Sequence, residues 1–85
     1  MPVLSRFSGI VVYMNYREHN PPHFHVRYQG YEVSIEIQSG IVEGRMPRRV
    51  LKLVIAWAEE HQDELTDNWQ RAQLKQPLFP IPPLD

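Results

Sequence analysis

Two runs of alternating residues, 23–28 and 31–37, joined by Gln29-Gly30, restrict this chain more than any other feature. Gly in the second place of a two-residue loop supplies the positive φ that a tight antiparallel reversal needs. Such a reversal sets Tyr28 opposite Tyr31 and so pairs Arg27 with Glu32, Val26 with Val33 and His25 with Ser34. Phe24 then meets Ile35 and His23 meets Glu36. Because successive side chains on a strand point to opposite faces, Phe24, Val26, Tyr28, Tyr31, Val33 and Ile35 take one face of the hairpin. His23, His25, Arg27, Glu32, Ser34 and Glu36 take the other. A slip of one residue would mix the two sets and part both opposite-charge pairs, so the register is fixed.

The other elements are read around this hairpin. Residues 9–14, Gly-Ile-Val-Val-Tyr-Met, are a short β-branched and aromatic run and predict a strand, apolar on both faces and therefore central in the sheet. Residues 15–22 form a loop, since Pro21-Pro22 can neither donate ladder bonds nor continue a helix. Ser39-Gly40 is a further turn, and residues 41–43 add a short strand before Gly44. Pro47 opens a helix at its favoured first position. Val50, Leu53, Val54, Trp57, Ala58, His61, Leu65, Trp69 and Ala72 then recur at three- and four-residue spacing. A continuous helix over residues 47–74 would be about 40 Å long, against strands of about 20 Å. Either it bends near residues 61–63, or its second half overhangs and buries Trp69 against something else. The fold expected is α+β, an antiparallel sheet of three to four strands packed on one long C-terminal helix. The domain spans residues 1–76, followed by a proline-rich apolar tail over residues 77–85.

Composition narrows the functional classes. A chain of 85 residues has room for one core and buries only about 60–65% of its unfolded surface. Domains this small commonly gain support from a disulfide, a metal or a partner subunit. With no cysteine there is neither a disulfide nor a thiolate site. That leaves a histidine/carboxylate metal site, with Zn the natural ion, or a protein interface. The formal net charge is −1 and the pI about 6.4, so the whole-molecule charge makes no case for nucleic-acid binding. The first residues hold no charged start leading into an apolar run, and the longest apolar stretch, residues 50–58, carries Lys52. Neither a signal peptide nor a membrane span is expected, and the chain reads as cytoplasmic.

Chemistry concentrates at residues 19–25, His-Asn-Pro-Pro-His-Phe-His, which hold three of the four histidines. His23 and His25 lie two apart on a strand, about 7 Å along the backbone, with both rings on one face. They suit two ligands of one metal ion, with His19 or Glu36 as the third. A metal-independent acid–base site on the same face would use Tyr13, His23, His25, Arg27 and Glu36, with a carboxylate beside an imidazole and an arginine to hold phosphate. Small guanyl-type ribonucleases work from such an open sheet face, so RNA is a candidate substrate by analogy. The commoner role for loop histidines is to fix the turn by hydrogen bonds. Arg45, Arg48 and Arg49 surround the start of the helix, where cations are unfavourable unless an anion docks there. His61, in the apolar stripe, is expected to be a satisfied core histidine. The tail residues Leu78, Phe79 and Ile81 are expected to dock on the domain or on a neighbouring subunit, and with Trp69 of the second half of the helix they are the surface expected to meet a protein partner.

The run Arg6-Phe7-Ser8-Gly9-Ile10, then Met14, then residues 18–25, Glu-His-Asn-Pro-Pro-His-Phe-His, resembles a family of small bacterial proteins, the domain of unknown function DUF4160. The resemblance continues through Tyr31-Glu32, Ser39-Gly40, Pro47, Arg49, Trp57, His61, Glu64-Leu65, Asn68-Trp69 and Pro77-Leu78. Phe79-Pro80 departs from it, since the family usually carries charge there. The resemblance implies no reaction. It implies a two-gene, toxin–antitoxin-like arrangement, and hence an interaction module binding a small protein partner or a second copy of itself.

Overall fold

The structure, a computed structural model, describes residues 2–84. Asp85, the last residue of the predicted tail, lies outside the described residues. Five strands, β1 (Val3–Phe7), β2 (Ile10–Tyr13), β3 (His23–Tyr28), β4 (Tyr31–Glu36) and β5 (Val42–Arg45), precede two helices, α1 (Arg48–Glu60) and α2 (Gln62–Gln73). The strands form one antiparallel meander in sequence order. The class is α+β, with more strands and one more helix than the sequence suggests.

The central hairpin has the predicted register at all six pairs, from His23 opposite Glu36 to Tyr28 opposite Tyr31. Its turn is made by Gln29 at φ 42° and Gly30 at φ 83°. One residue of the apolar set departs from its expected burial: Tyr31, at the tip, is exposed. β2 runs between β1 and β3, with Tyr13 opposite His25 and Val11 opposite Arg27. The unexpected strand is β1, where Ser5 and Arg6 interrupt the apolar alternation and a bulge between Val3 and Ser5 disturbs the pairing. Ser8 and Gly9, both at positive φ, turn it back into β2. β5 begins one residue later than expected and runs on through Gly44, which pairs with Val33 at φ 110°.

Pro47 is the cap of α1, one place earlier than predicted. Its ψ of 138° is extended, and its carbonyl accepts from the N–H groups of Val50 and Leu51. The long amphipathic run is broken at His61, where φ −119° and ψ 25° end α1 and start α2. The break lets both halves cover the sheet. Val50, Val54 and Trp57 of α1 and Leu65, Trp69 and Ala72 of α2 all enter one core with Phe24, Val26, Val33 and Ile35. Trp57 lies at the centre, 5.7 Å from the ring of Phe7 and 6.2 Å from that of Phe24. His61 packs against Trp57 and is paired with Glu64, a satisfied histidine at the edge of the core.

The proline-rich tail docks on its own domain. Ile81 is buried, and its N–H donates to the Leu4 carbonyl at 2.8 Å. The Trp57 indole N–H donates to the Pro82 carbonyl at 2.8 Å. Asn68, 1% exposed, grips Phe79 with both ends of its amide: Nδ2 donates to the Phe79 carbonyl (2.9 Å) and Oδ1 accepts from the Phe79 N–H (2.8 Å). Thus Ile81, on a tail expected to dock on the domain or on a neighbouring subunit, is seated on its own domain, and Trp69, named for the surface to a partner, is a core residue because the bend at His61 folds α2 onto the sheet. Leu78 packs against the core in part. Phe79 is exposed, with the Arg71 guanidinium 4.0 Å from its ring centroid.

Candidate metal centre

The loop over residues 14–22 is tied to the C-terminal end of α2. The Arg17 N–H donates to the Ala72 carbonyl (3.3 Å), which also accepts from the Lys75 N–H (3.2 Å) just past the helix end. The Gln73 side chain donates to the Glu18 carbonyl (3.1 Å). These two bonds set Glu18 over the start of β3, where His23 and His25 stand on one face.

Both histidines are held on several sides. His23 Nδ1 lies 2.8 Å from the Pro21 carbonyl oxygen, which can only accept, so this nitrogen carries the proton. The other nitrogen, Nε2, is then the lone-pair position of the neutral ring. The ring packs 5.2 Å from Trp69. His25 stacks nearly parallel on Tyr13, its partner across the β2–β3 ladder, with centroids 5.0 Å apart. His25 Nε2 lies 2.7 Å, and His23 Nε2 3.4 Å, from the same oxygen, Oε1 of Glu18. One ligand atom from each of Glu18, His23 and His25 falls within 4.8 Å of the others. Partial burial of the Glu18 carboxyl raises its pKa, but the hydrogen bond to His25 and the charge that His25 and then His23 carry when protonated outweigh that and hold it below the usual carboxylate value.

A tetrahedral zinc ion with arms of about 2.0–2.1 Å spaces its donors roughly 3.3 Å apart. The three atoms here bracket that spacing, at 2.7 and 3.4 Å for the two distances to Glu18 and within 4.8 Å for all, and the Pro21 carbonyl already provides the outer hydrogen bond that metal-binding histidines usually make. Beside His23 lies a cleft of about 170 Å³ bounded by His19, Pro21, Ser34, Glu36 and Glu43. A larger hollow of about 340 Å³, between the β4–β5 turn and α1, contains no histidine.

The candidate group therefore differs from the expected one in its third member. His19 is exposed on the cleft wall, outside the group. Glu36 does sit opposite His23 in register, but its carboxylate accepts from the Ser39 hydroxyl (2.8 Å), because the β4–β5 turn folds Ser39 back over it. Glu18 was not among the residues that composition and spacing singled out. Its only signal was a carboxylate five residues before His23 across a Pro-Pro turn.

The remaining predicted residues separate into two groups. Tyr13, Arg27 and Glu32 form a connected cluster next to the histidines. The Tyr13 hydroxyl donates to Glu32, and the Arg27 guanidinium donates to Glu32 (3.2 Å) and to the Tyr13 oxygen (3.4 Å). Tyr13 is 4% exposed although it stands on the face away from the helices. Its burial, then the hydrogen bond and charge of Glu32, raise its pKa above 10.0, with Arg27 opposing. Glu32 is lowered by the Tyr13 hydroxyl and then by Arg27. Arg45, Arg48 and Arg49 share no hydrogen-bond partner among the described residues. Arg49 donates to the Tyr28 hydroxyl (3.2 Å), Arg45 pairs with Glu32 in the β4–β5 ladder, and Arg48 is exposed.

Fold and site together define a small α+β domain: an antiparallel meander carrying a two-histidine, one-glutamate cluster at the entry to its central hairpin. Residues 9–70 match the family model for a domain of unknown function (DUF4160), and the chain belongs to that family. No curated protein and no solved structure matches it. Among the described residues, no helix is long and apolar enough to cross a membrane.

Proposed function

We propose that this protein binds a divalent transition-metal ion, zinc in the first place, through Glu18 Oε1, His23 Nε2 and His25 Nε2. The observation that supports this most directly is the convergence of both imidazole Nε2 atoms on one oxygen of Glu18, with His23 Nδ1 locked to the Pro21 carbonyl. Three protein ligands leave a fourth position for water or a small ligand, the pattern of catalytic rather than structural zinc sites. Zinc in such a position lowers the pKa of a bound water toward neutrality. Tyr13 orients the His25 ring by stacking, and the loop bonds to Ala72 and Gln73 hold Glu18 in reach. Beyond the site, the interaction-module reading that the family resemblance implies has a smaller surface to draw on, since Trp69 and Ile81 are core residues.

The test is isothermal titration of metal-stripped protein with Zn²⁺, alongside Glu18→Gln, His25→Ala and His19→Ala. Glu18→Gln and His25→Ala are expected to lose at least about tenfold in affinity, since each removes one of three ligands, while His19→Ala keeps it. Equal loss in His19→Ala, or no saturable binding in the wild type, would sink the reading. The Glu18–His25 pair also supports a metal-independent acid–base reading. RNA cleaved in EDTA, and left intact by His25→Ala, would favour that reading instead.

A further inference from the structure

The two edges of the sheet are treated differently by the chain. Along β1 the tail lies close, with the Ile81 N–H donating to the Leu4 carbonyl. At the other end, among the described residues, the sheet stops at β5 with no sixth strand. An uncovered edge offers a row of main-chain donors and acceptors to another strand. In β5 the phase of that row is known. The Glu36 N–H donates to the Ile41 carbonyl (2.9 Å), so residue 41 turns its main chain toward β4. Alternation along an antiparallel strand carries the same orientation to Glu43 and Arg45. Val42, Gly44 and Met46 therefore point their main-chain groups outward.

Side chains make this edge complementary to itself. Glu43 and Arg45 stand opposite Ser34 and Glu32, on the face away from the helices, and both are exposed. Val42 stands opposite Ile35, on the helix side, and is partly packed against the core, as is Met46. If a second β5 is laid antiparallel with Gly44 opposite Gly44, Glu43 of each copy falls opposite Arg45 of the other. Val42 falls opposite Met46, twice over. Every outward main-chain group then meets an outward partner, and a glycine with no Cβ lies on the two-fold axis.

We propose that two copies of this chain associate through β5, Gly44 against Gly44, to form one continuous ten-stranded antiparallel sheet. Two opposite-charge pairs, Glu43 with the partner's Arg45 and its symmetry mate, fix the register. The pairing bears on the candidate site, because Glu43 lines the cleft beside His23. The partner's Arg45 is brought to the outer end of that cleft, where it supplies a positive charge for an anionic ligand. Few residues take part on each side, so the area buried falls well short of the roughly 1,600 Å² of a standard interface and the dimer exchanges with monomer.

Sedimentation velocity over about 10–1,000 µM protein, the range of weak association, reads this directly. The wild type should pass from monomer toward dimer as concentration rises. Val42→Pro removes one outward N–H while leaving the inward ladder bonds of residues 41, 43 and 45, and should stay monomeric with an unchanged circular dichroism spectrum. Glu43→Arg alone and Arg45→Glu alone should each stay monomeric, because each sets like charges opposite one another. Mixed together, they should form a heterodimer, since the first then presents two arginines to the two glutamates of the second. A wild type that remains monomeric throughout, a dimer indifferent to Val42→Pro, or a mixture that fails to associate would each overturn the proposal. In the first case Glu43 and Arg45 act as edge protection.

Discussion

Replacing Asn68 by Ala is expected to loosen residues 78–84 and to reveal how much stability the tail supplies. The amide makes two hydrogen bonds to one residue, Phe79, across 11 positions of chain. Each bond contributes about 0.5–1.5 kcal/mol net, so losing both costs roughly 1–3 kcal/mol. The cost has a ceiling, because the tail can leave the surface and solvate its freed groups. Release exposes Ile81, worth about 1.5–3 kcal/mol, and strips the Trp57 indole of its bond to Pro82. Clamp and ceiling are similar in size, so about 2 kcal/mol is expected. For a domain of this length that lowers Tm by roughly 8–16 °C. Urea unfolding followed by tryptophan fluorescence measures it, since Trp57 and Trp69 are both buried. The mechanism is checked by a cycle with a chain cut after Pro77. If Asn68 acts only through the tail, Asn68→Ala adds little once the tail is gone. A loss below about 0.5 kcal/mol in the full chain, the size of an ordinary surface substitution, would refute the reasoning. So would full additivity with the truncation.

Two further perturbations probe the sheet. Gly44→Ala places a Cβ 2.6 Å from the Glu32 carbonyl oxygen at a φ of 110°, and backbone strain of this kind costs about 1–3 kcal/mol before the clash is counted. A loss above roughly 2 kcal/mol in urea unfolding is expected, and an unchanged midpoint would show that the strand does not approach so closely. Tyr13 should ionise above the ordinary phenol value of 10.0 in an ultraviolet titration, and Glu32→Gln should bring it down by removing the charge beside it. A phenol raised in the folded state gives stability that is whole below the ordinary value of 10.0 and is lost as pH rises through the folded value. The wild type should therefore weaken above about pH 10, and less steeply so in Glu32→Gln.

The hairpin was legible in the sequence to the level of single pairs because three independent requirements agreed on one register. The Gly30 turn, the apolar alternation and the Arg27–Glu32 pair are all local, and local consistency is what a sequence displays best. β1 lacked that consistency: its bulge puts Leu4 and Ser5 both in the interior, so the alternation that marks a strand is missing. The helical period over residues 50–72 was correct, but period alone carries no information on whether the axis bends. Length against the sheet leaves two outcomes, a bend near residues 61–63 or an overhang, and the structure has the first, at His61. In the site, the two histidines followed from strand alternation. Glu18 did not, because its position depends on where Ala72 and Gln73, more than 50 residues later, hold the loop. Asn68 was missed for a related reason. A polar residue in an apolar helical stripe reads as a solvated position until the segment it grips is known.

These dependencies converge on α2. One helix holds the tail through Asn68, the ligand loop through Ala72 and Gln73, and the His23 ring through Trp69. Two of the three proposed ligands stand on a hairpin whose register is over-determined, so they need no metal to be in place. The third stands on a loop with two hydrogen bonds to the helix end. An ion bridging Glu18 to His23 and His25 would close a ring of contacts from β3 through the loop to α2 and back through Trp69. In a cysteine-free domain of 85 residues, where the core alone leaves only a narrow margin of stability, such a bridge would do the work that a disulfide does elsewhere. It would do so without covering the face on which the cleft opens.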